Sequence, residues 1–453
     1  MVYFGAMKKL ILLSFLLSLY GQSQAQRSKS TKNNASTITQ ASVEHIVRTL
    51  AADDMQGRAS GTPGGLKAAQ FIAGEFKRIG LQPLTGLTNF EQVFTAYDIH
   101  SGEAKVELNG APVPADRVLV ASGVPQLAWS DKDSPVARVV VIGPDAKVGQ
   151  ELRPLLQPHE NLVVLVDPAH TAYFQRFANY FGQNAIRAEK PEPYASVFIL
   201  SAPSPTLPTY RITATTIIKP VQLRNVVGVL PGRDKTKAAE MVVFSGHYDH
   251  LGVRPAVAGD SIANGADDDA SGTTAVITLA EYFKKKKDNA RTLVFVAFAA
   301  EESGGFGSQY FSKQLDPAKV VAMFNIEMIG KVAQFGPNTA FITGYERSDF
   351  GKLLQQNLQG TAFRFEPDPY LEQSLFYRSD NATLARLGVP AHSISTDQIP
   401  TDKLYHSVDD EVESLDLANM TAVIQGIAQS ASGIISGQQT PTRIAPESVG
   451  QRP

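Results

Sequence analysis

One stretch, Met241–Thr273, most constrains what this chain can fold into. It opens with a short apolar run, carries His247 and Asp249 directly after that run, and then places three aspartates, 267–269, in a glycine-flanked turn before an apolar, helix-like segment. Carboxylates crowded at the edge of a buried strand and helix repel one another, and burying them is costly unless a cation neutralises them. The stretch therefore predicts a metal site, whose remaining ligands must come from elsewhere in the chain.

Composition narrows the kind of protein that could carry such a site. A chain of 453 residues is long for one compact core, so two domains are expected. Its 42 basic and 44 acidic residues leave a net charge of -2, which argues against binding nucleic acid or a membrane surface through bulk charge. The chain has no cysteine, so any metal must be held by histidines and carboxylates, and no disulfide forms.

The first residues have the pattern of a secretory signal peptide. Lys8 and Lys9 precede the apolar residues 10–20, and small residues up to Ala25 follow. We therefore predict a signal peptide over 1–25, and a periplasmic or secreted protein. The apolar run is too short to span a bilayer, and a lipid anchor would need a cysteine, so no membrane anchor is expected after cleavage.

The composition and periodicity of the sequence change several times along the chain, and these changes predict its domains. Polar residues 26–40 predict a disordered lead-in, and residues 438–453 a flexible tail. Strand–helix alternation from Leu223 predicts an α/β catalytic domain over 221–437, with a mostly parallel mixed sheet sandwiched by helices, to which we assign the helical segment 41–96 as well. Short β-branched runs over 97–220 predict a β-rich inserted domain. In open sheets of this kind, sites form beyond the carboxyl ends of strands.

The first candidate ligands lie in the opening stretch. His247 and Asp249 share a side if the strand continues, so Asp249 could hold the second ring nitrogen of His247. On the same alternation His250 would point the other way, which makes it a weaker candidate. One carboxylate of the aspartate triplet could bridge two metals ~3.5–4 Å apart. A helix N-cap cluster or a calcium loop are the alternatives, although the spacing is not that of an EF-hand.

Three later places carry the same kinds of residue. Glu301 and Glu302 follow an apolar strand, where one could ligate and the other act as a general base. Acids at a helix N-terminus would explain that pair equally well. Glu327 ends another apolar strand, and His406 lies in a late loop with acids behind it. Each signal is weak alone, but their recurrence at successive strand ends predicts one shared centre.

Taken together, these residues resemble the M28 family of zinc aminopeptidases, whose catalytic domain is a zinc exopeptidase α/β sandwich. The resemblance covers about 40–95 and 223–435, and the 97–220 insert lies where many relatives carry a protease-associated domain. The motifs that carry it, in the family's order, are Met55–Arg58 with Gly61–Gly64, Gly246–Asp249, Gly265–Gly272, Ala300–Glu302, Asn325–Met328 and Tyr405–Ser407.

The resemblance implies a role for each matching position. It implies two zinc ions per chain and removal of the N-terminal residue from peptides with a free N-terminus. Glu301 would be the general acid and base, Asp249 would support His247, and Tyr405 would donate to the oxyanion. Glu327 stands where many of these enzymes have aspartate. The implied zinc ligands are His247 and Glu327 for one ion, Glu302 and His406 for the other, and Asp268 as the bridge.

Other functions on the same scaffold stay open from the sequence. A carboxypeptidase or dipeptidase needs a cation for the substrate carboxylate, and Arg378 could supply it. A glutaminyl cyclase typically binds one zinc, so a full two-metal set weighs against it. A non-catalytic binding ectodomain would have lost ligands, whereas all five positions here carry ligating residues. The segment Tyr370–Tyr377 is a further expectation, as a wall of the side-chain pocket.

Overall fold

The computed structural model describes residues 38–132, 137–157, 159–183, 186–202, 208–446 and 449. The predicted signal peptide, and the predicted lead-in up to residue 37, lie outside these residues. Within the described ranges, no helix is both long enough and apolar enough to cross a membrane.

The described chain alternates helices and strands, with a long β-rich stretch between the second and fifth helices. The helices are α1 Gln40–Leu50, α2 Pro63–Ile79, α3 Val148–Leu152, α4 Thr171–Gln183, α5 Gly272–Lys286, α6 Phe306–Lys313, α7 Phe350–Asn357, α8 Asn381–Ala385, α9 Leu417–Ser430 and α10 Ser432–Ile435. The strands are β1 Gln82–Pro83, β2 Glu91–Leu108, β3 Ala111–Pro112, β4 Val118–Ser122, β5 Gln126–Ser130, β6 Arg138–Ile142, β7 Leu162–Val166, β8 Ile186–Arg187, β9 Ala195–Leu200, β10 Tyr210–Leu230, β11 Met241–His247, β12 Gly252–Val257, β13 Asp260–Ala263, β14 Thr292–Phe298, β15 Val320–Ile326, β16 Thr339–Ile342, β17 Arg364–Pro367 and β18 Ala391–Ser395.

A large mixed sheet organises the catalytic part, in the order β17-β16-β18-β15-β11-β14-β10-β2-β3. Its centre, from β18 through β15 and β11 to β14, is parallel. The neighbours β16 and β10 join that centre antiparallel. The predicted fold class, a helix-flanked mixed sheet with a parallel majority at its centre, is confirmed. Parallel strands covered on both faces read as unbroken apolar runs, and β15 is buried along its whole length.

Alternate residues of the central strands feed two hydrophobic cores. Val242 and Phe244 of β11 pack with α1, α2, α5 and α9 on one face, whereas Val243 packs with α6 and α8 on the other. The ring of Phe244 stacks on those of Phe295 and Phe324, with centroids 5.5 and 4.8 Å apart. Each such fully buried side chain is worth about 1.5–3 kcal/mol. Both faces thus hold the strand ends rigidly in place.

The insert grows out of the main sheet rather than joining it by flexible linkers. Strands β2 and β10 pair continuously, and Tyr97 lies opposite Pro220, so both predicted boundaries fall inside one long ladder. Beyond it, β4, β9, β7 and β6 form a separate four-stranded sheet. The sequence pattern changes at Tyr97 because the ladder leaves the helix-covered core there. The two strands themselves continue beyond that point.

The predicted flexible tail is wrong for its described part, residues 438–446. The buried Arg291 donates to the backbone O of Gln439 and to Oγ1 of Thr440, both at 2.6 Å. Arg443 Nη1 donates to the backbone O of Val320 at 2.8 Å, and Ile444 is 1% exposed. A polar terminal segment is predicted to be flexible from its sequence alone. The residues that bond this one, such as Arg291 and Val320, lie far away along the chain.

Candidate metal centre

The predicted ligands converge because three parallel strands end at one edge of the sheet. Strands β14, β11 and β15 are neighbours, and they end just before Glu301–Glu302, at His247 and just before Glu327. The carboxyl ends of parallel strands face the same crevice. The loop that carries His406 closes over this edge, so the structure brings together all five residues predicted as ligands.

Two donor groups share the carboxylate of Asp268. His247 Nε2 lies 3.2 Å from Asp268 Oδ1 and 3.2 Å from Glu327 Oε1. His406 Nε2 lies 3.3 Å from Asp268 Oδ2 and 3.2 Å from Glu302 Oε2. Two atoms bound tetrahedrally to one zinc at about 2.0–2.2 Å are about 3.3–3.6 Å apart. Each group therefore has the spacing of a metal site, with one oxygen of Asp268 in each.

The two flanking aspartates of the triplet shape the turn instead. The carboxylates of Asp267 and Asp269 accept hydrogen bonds at 2.7–3.1 Å from the backbone N–H groups of Gly330, His247, Gly272 and Met328. These bonds tie the irregular turn Ala266–Ser271 to β11 and to the end of β15. Only Asp268 is left to face both histidines. The resemblance implied this middle position, and the residue types alone did not.

The ionisable side chains of the centre shift one another's pKa values. Burial would raise the pKa of Asp268, but its contacts with His247, His250 and His406 hold that pKa well below its usual range. Burial also opposes ionisation of Glu302, yet the two histidines beside it lower its pKa to about 2. Burial would lower the pKa of His406, but Asp268 and Glu302 raise it to about 10. Burial would also lower the pKa of His247, but Glu327 and Asp268 raise it, so without a metal His247 and His406 hold protons that a bound ion must displace.

Asp249 supports the centre in a different way from the one expected. His247 Nδ1 lies 3.0 Å from the backbone O of Asp249, whereas the nearer carboxylate oxygen is 3.8 Å away. That oxygen instead accepts the backbone N–H of Glu301 at 3.1 Å. Burial raises the pKa of Asp249 to about 7. The backbone carbonyl thus orients the imidazole, and the carboxylate positions the loop that carries Glu301.

The expectation that His250 points away from the centre is wrong. Strand β11 ends at His247, so the alternation of side chains does not extend to His250. Its ring is 2% exposed, and Nδ1 lies 2.9 Å from Glu302 Oε1 and 3.7 Å from Asp268 Oδ2. Gly246, the glycine before His247, was the available sign that the strand was ending.

Glu301 and Tyr405 line the cleft beside the ligands. Burial raises the pKa of Glu301 well above its usual range, with the charges of Glu302 and Glu327 adding to the effect and His247 opposing it. Burial also raises the pKa of Tyr405, so its phenol keeps its proton. The Tyr405 ring stacks on that of His406, with centroids 3.9 Å apart. A proton acceptor with a raised pKa and a phenol donor therefore face the same space.

Away from the ligands, the cleft is lined by a mixture of apolar and polar side chains. Met328, Phe341, Leu375 and Ile399 contribute to its walls, and Arg378 adds one cation. Of the predicted wall segment Tyr370–Tyr377, only Leu375 lines the cleft within the described chain.

A partly buried chain of hydrogen bonds fixes Glu327, and the sequence did not reveal it. Ser379 Oγ donates to Glu327 Oε2 at 2.5 Å and accepts from Asn325 Nδ2 at 2.6 Å. Ser245 Oγ in turn donates to Asn325 Oδ1 at 2.7 Å. Ser245 and Asn325, polar residues inside apolar strands, were the signal, since buried polar groups need partners. Because Ser379 donates to Oε2 of Glu327, the other oxygen, Oε1, faces His247.

Arg58 ties the two ligand-bearing loops together. Its guanidinium is fully buried and donates to four backbone carbonyls at 2.5–2.8 Å, those of Leu50, Tyr248, Asn264 and Gly265. Tyr248 directly follows His247, and Gly265 begins the turn that carries Asp268. One side chain thus sets the distance between the two segments on which the donor groups depend.

Solved structures define the class of fold. An aminopeptidase from Aneurinibacillus sp. strain AM-1 superposes with a TM-score of 0.56 at 17% identity, covering 92% of this chain and 96% of that one. A zinc aminopeptidase from Bacillus subtilis gives a TM-score of 0.54 at 15% identity, covering 89% and 96%. The chain has the fold of the zinc aminopeptidases.

The sequence gives the family. The model of peptidase family M28 matches residues 225–431, and this segment belongs to that family. A probable leucine aminopeptidase of Trichophyton verrucosum is 28% identical over 205 residues, 43% of this chain and 53% of the relative. A probable zinc metalloprotease of Pyrenophora teres f. teres is 39% identical over 117 residues, 25% and 24% of the two chains. The chain thus spans about half, or less, of these curated relatives.

Proposed function

We propose that this protein is a two-zinc aminopeptidase that hydrolyses the N-terminal residue from peptides. The observation that carries the proposal is the pair of donor groups joined by Asp268, with Glu301 beside them in the same cleft. Membership of segment 225–431 in family M28 supports it, as do the curated relatives named for zinc and for aminopeptidase activity.

The residues present fit zinc in both number and kind. Histidine nitrogens and carboxylate oxygens at tetrahedral spacing suit this ion, and a buried cluster of carboxylates needs a cation. His247, Asp268 and Glu327 would hold one ion, and Asp268, Glu302 and His406 the other. When bound, zinc lowers the pKa of a water molecule and polarises a carbonyl group.

The chain's own side chains would then move the protons. Glu301, whose pKa burial raises, accepts the proton of the attacking water and returns it to the leaving amine. The Tyr405 phenol, which keeps its proton, donates a hydrogen bond to the oxygen on which negative charge develops. Asp249 holds the backbone of Glu301 in register for both proton transfers.

The cleft also suits a substrate with a free N-terminus. An α-ammonium group is attracted to the carboxylates of Glu301, Glu302 and Glu327, which line one side of the cleft. The first side chain of the peptide would lie against the apolar walls formed by residues such as Phe341 and Leu375.

Carboxypeptidase or dipeptidase activity is the second candidate, and Arg378 is the observation that favours it. Its guanidinium lines the cleft near Tyr405, where it lowers the pKa of that phenol against the effect of burial. A planar cation is the usual partner of a substrate carboxylate. The two activities place opposite ends of the peptide at the ligands, so a substrate panel separates them.

The test is metal content of the purified protein together with hydrolysis of free and N-blocked aminoacyl substrates, with and without chelator. We expect two zinc ions per chain, cleavage of free but not blocked N-termini, and loss of activity when zinc is removed. Chelator already saturated with zinc is the control and should have no effect. Cleavage only of C-terminal residues would move the assignment to carboxypeptidase, and a protein without bound metal or activity in zinc would refute both.

We also propose that the protein is exported, on the strength of the basic and apolar pattern before Ala25. Expression of the full chain in a Gram-negative host should give a mature protein that begins at Gln26 in the periplasm or the medium. N-terminal sequencing of each cell fraction measures this. An uncleaved chain confined to the cytoplasm would contradict the proposal.

A further inference from the structure

We infer that His250 is a third histidine ligand of the centre, binding the ion held by Asp268, Glu302 and His406. The inference rests on the proposed two-metal function and adds a residue to its ligand set. It also predicts that the two ions are held unequally.

The position of the imidazole is that of a ligand. Its Nδ1 lies 2.9 Å from Glu302 Oε1 and 3.7 Å from Asp268 Oδ2. These two separations bracket the edge of about 3.3–3.6 Å expected between two atoms bound to one tetrahedral zinc. His250, Asp268 and Glu302 each offer a donor atom, and all three atoms lie within 4.8 Å of one another.

The hydrogen bonding of the ring points the same way. The 2.9 Å approach of His250 Nδ1 to Glu302 Oε1 lacks the geometry of a hydrogen bond, and neither atom has another hydrogen-bond partner among the described residues. Both atoms are buried, and a buried polar atom without a partner is costly. An ion placed between them would satisfy both atoms at once.

The surroundings hold the ring at that position. A Cβ on Gly265 would lie 2.5 Å from the ring carbons Cγ and Cδ2, so the backbone packs directly on the imidazole. The His406 ring lies edge-to-face with that of His250, with centroids 5.9 Å apart. This close packing keeps Nδ1 turned to the carboxylates.

The inference makes the two sites different in kind. The His250 site would have four protein donors, from Asp268, Glu302, His406 and His250. The other would have three, from His247, Asp268 and Glu327, and would keep an open position. Zinc sites closed by four protein ligands are typically structural, whereas those with three leave room for chemistry. We therefore expect the ion at the His250 site to be the more tightly held.

The first test is X-ray absorption on the wild-type protein carrying two zinc ions. Three histidines shared by two ions give an average of about 1.5 imidazoles per ion, against about 1 if only His247 and His406 bind. An average of one imidazole per ion would overturn the inference. This measurement needs no variant, so it decides the question even if substitutions at His250 impair folding.

The second test is competition with a chelator on His250→Asn, beside His392→Asn as the matched control. His392 is equally buried, but it bonds Thr343 O and Ser348 Oγ away from the centre. We expect one of the two ions to bind His250→Asn more than about 100-fold more weakly, beyond the 10–100-fold typical of a residue that only supports a ligand. The other ion, and both ions of the control, should bind as in wild type.

The outcomes separate this inference from the proposed function. A wild-type protein with two zinc ions and a His250→Asn variant of unchanged affinity would refute the role of His250 and leave the two-metal function standing. A wild-type protein that binds no zinc would refute both.

Discussion

Replacing Glu301 by glutamine is expected to reduce kcat by about 10²–10⁴-fold, the usual contribution of a general acid–base residue. The substitution keeps the size of the side chain and its hydrogen-bonding capacity, but the amide cannot accept and return a proton. Glu301 is not within either predicted donor group, so both ions should remain bound. The expected signature is an enzyme that is folded and metal-loaded but nearly inactive.

The neighbouring residue provides the control. Glu302→Gln alters the oxygen that lies 3.2 Å from His406 Nε2, so it should lose metal as well as activity. Measuring kcat and zinc content for both variants separates the two roles. Substantial activity in Glu301→Gln would show that another group accepts the proton. Loss of zinc from that variant would place Glu301 among the ligands.

The largest effect on stability is expected from Arg58→Met, which should lower the free energy of unfolding by about 3–5 kcal/mol. Methionine fills much of the volume but donates no hydrogen bonds, so four buried carbonyl oxygens each lose a donor, and that of Gly265 keeps the backbone N–H of Ala270 at 3.3 Å. Each unsatisfied buried group costs about 1–3 kcal/mol, and relaxation of the loops recovers part of that cost. Zinc affinity should fall too, because Arg58 holds the loops of His247 and Asp268 together.

Denaturant unfolding of the metal-free and zinc-loaded proteins measures both effects of Arg58→Met. Arg138→Met is a suitable control, since Arg138 lies on the surface and pairs with the exposed Glu160. Exposed ion pairs often contribute nothing measurable to stability. If Arg58→Met were as stable as this control, the buried guanidinium would not be what joins the two loops.

The sequence predicted that several ligands of the metal centre would meet, because the carboxyl ends of parallel strands lie at one edge of a sheet. His247, Glu302 and Glu327 each follow an apolar run, and apolar runs in a parallel sheet end at a common edge. Glu302, Glu327 and His247 could therefore be expected to meet without knowledge of the loops between them. The apolar runs also predicted the strands of the catalytic sheet, because their burial on both faces leaves few polar residues within them.

Three features could not be predicted, because each depends on contacts that form only in the tertiary structure. The orientation of His250 depends on where β11 stops, and a one-residue change in a strand end turns a side chain to the other face. The carboxylate of Asp249 bonds the backbone of Glu301, which is distant in sequence. The tail after 438 packs on Arg291, whose partners no local pattern reveals.

By itself, the sequence of this protein determined the kinds of ligand available, the strands that carry them and the family of its catalytic segment. The ligand types and the strands follow from residue type and periodicity, which are local, and the family follows from the resemblance of the motifs. Only the tertiary structure decided that Asp268 faces both histidines, that the backbone of Asp249 orients His247, and that His250 lies against Glu302. Those contacts are set by Arg58 and by backbone amides from segments far apart in the chain, so they exist only once the sheet has formed.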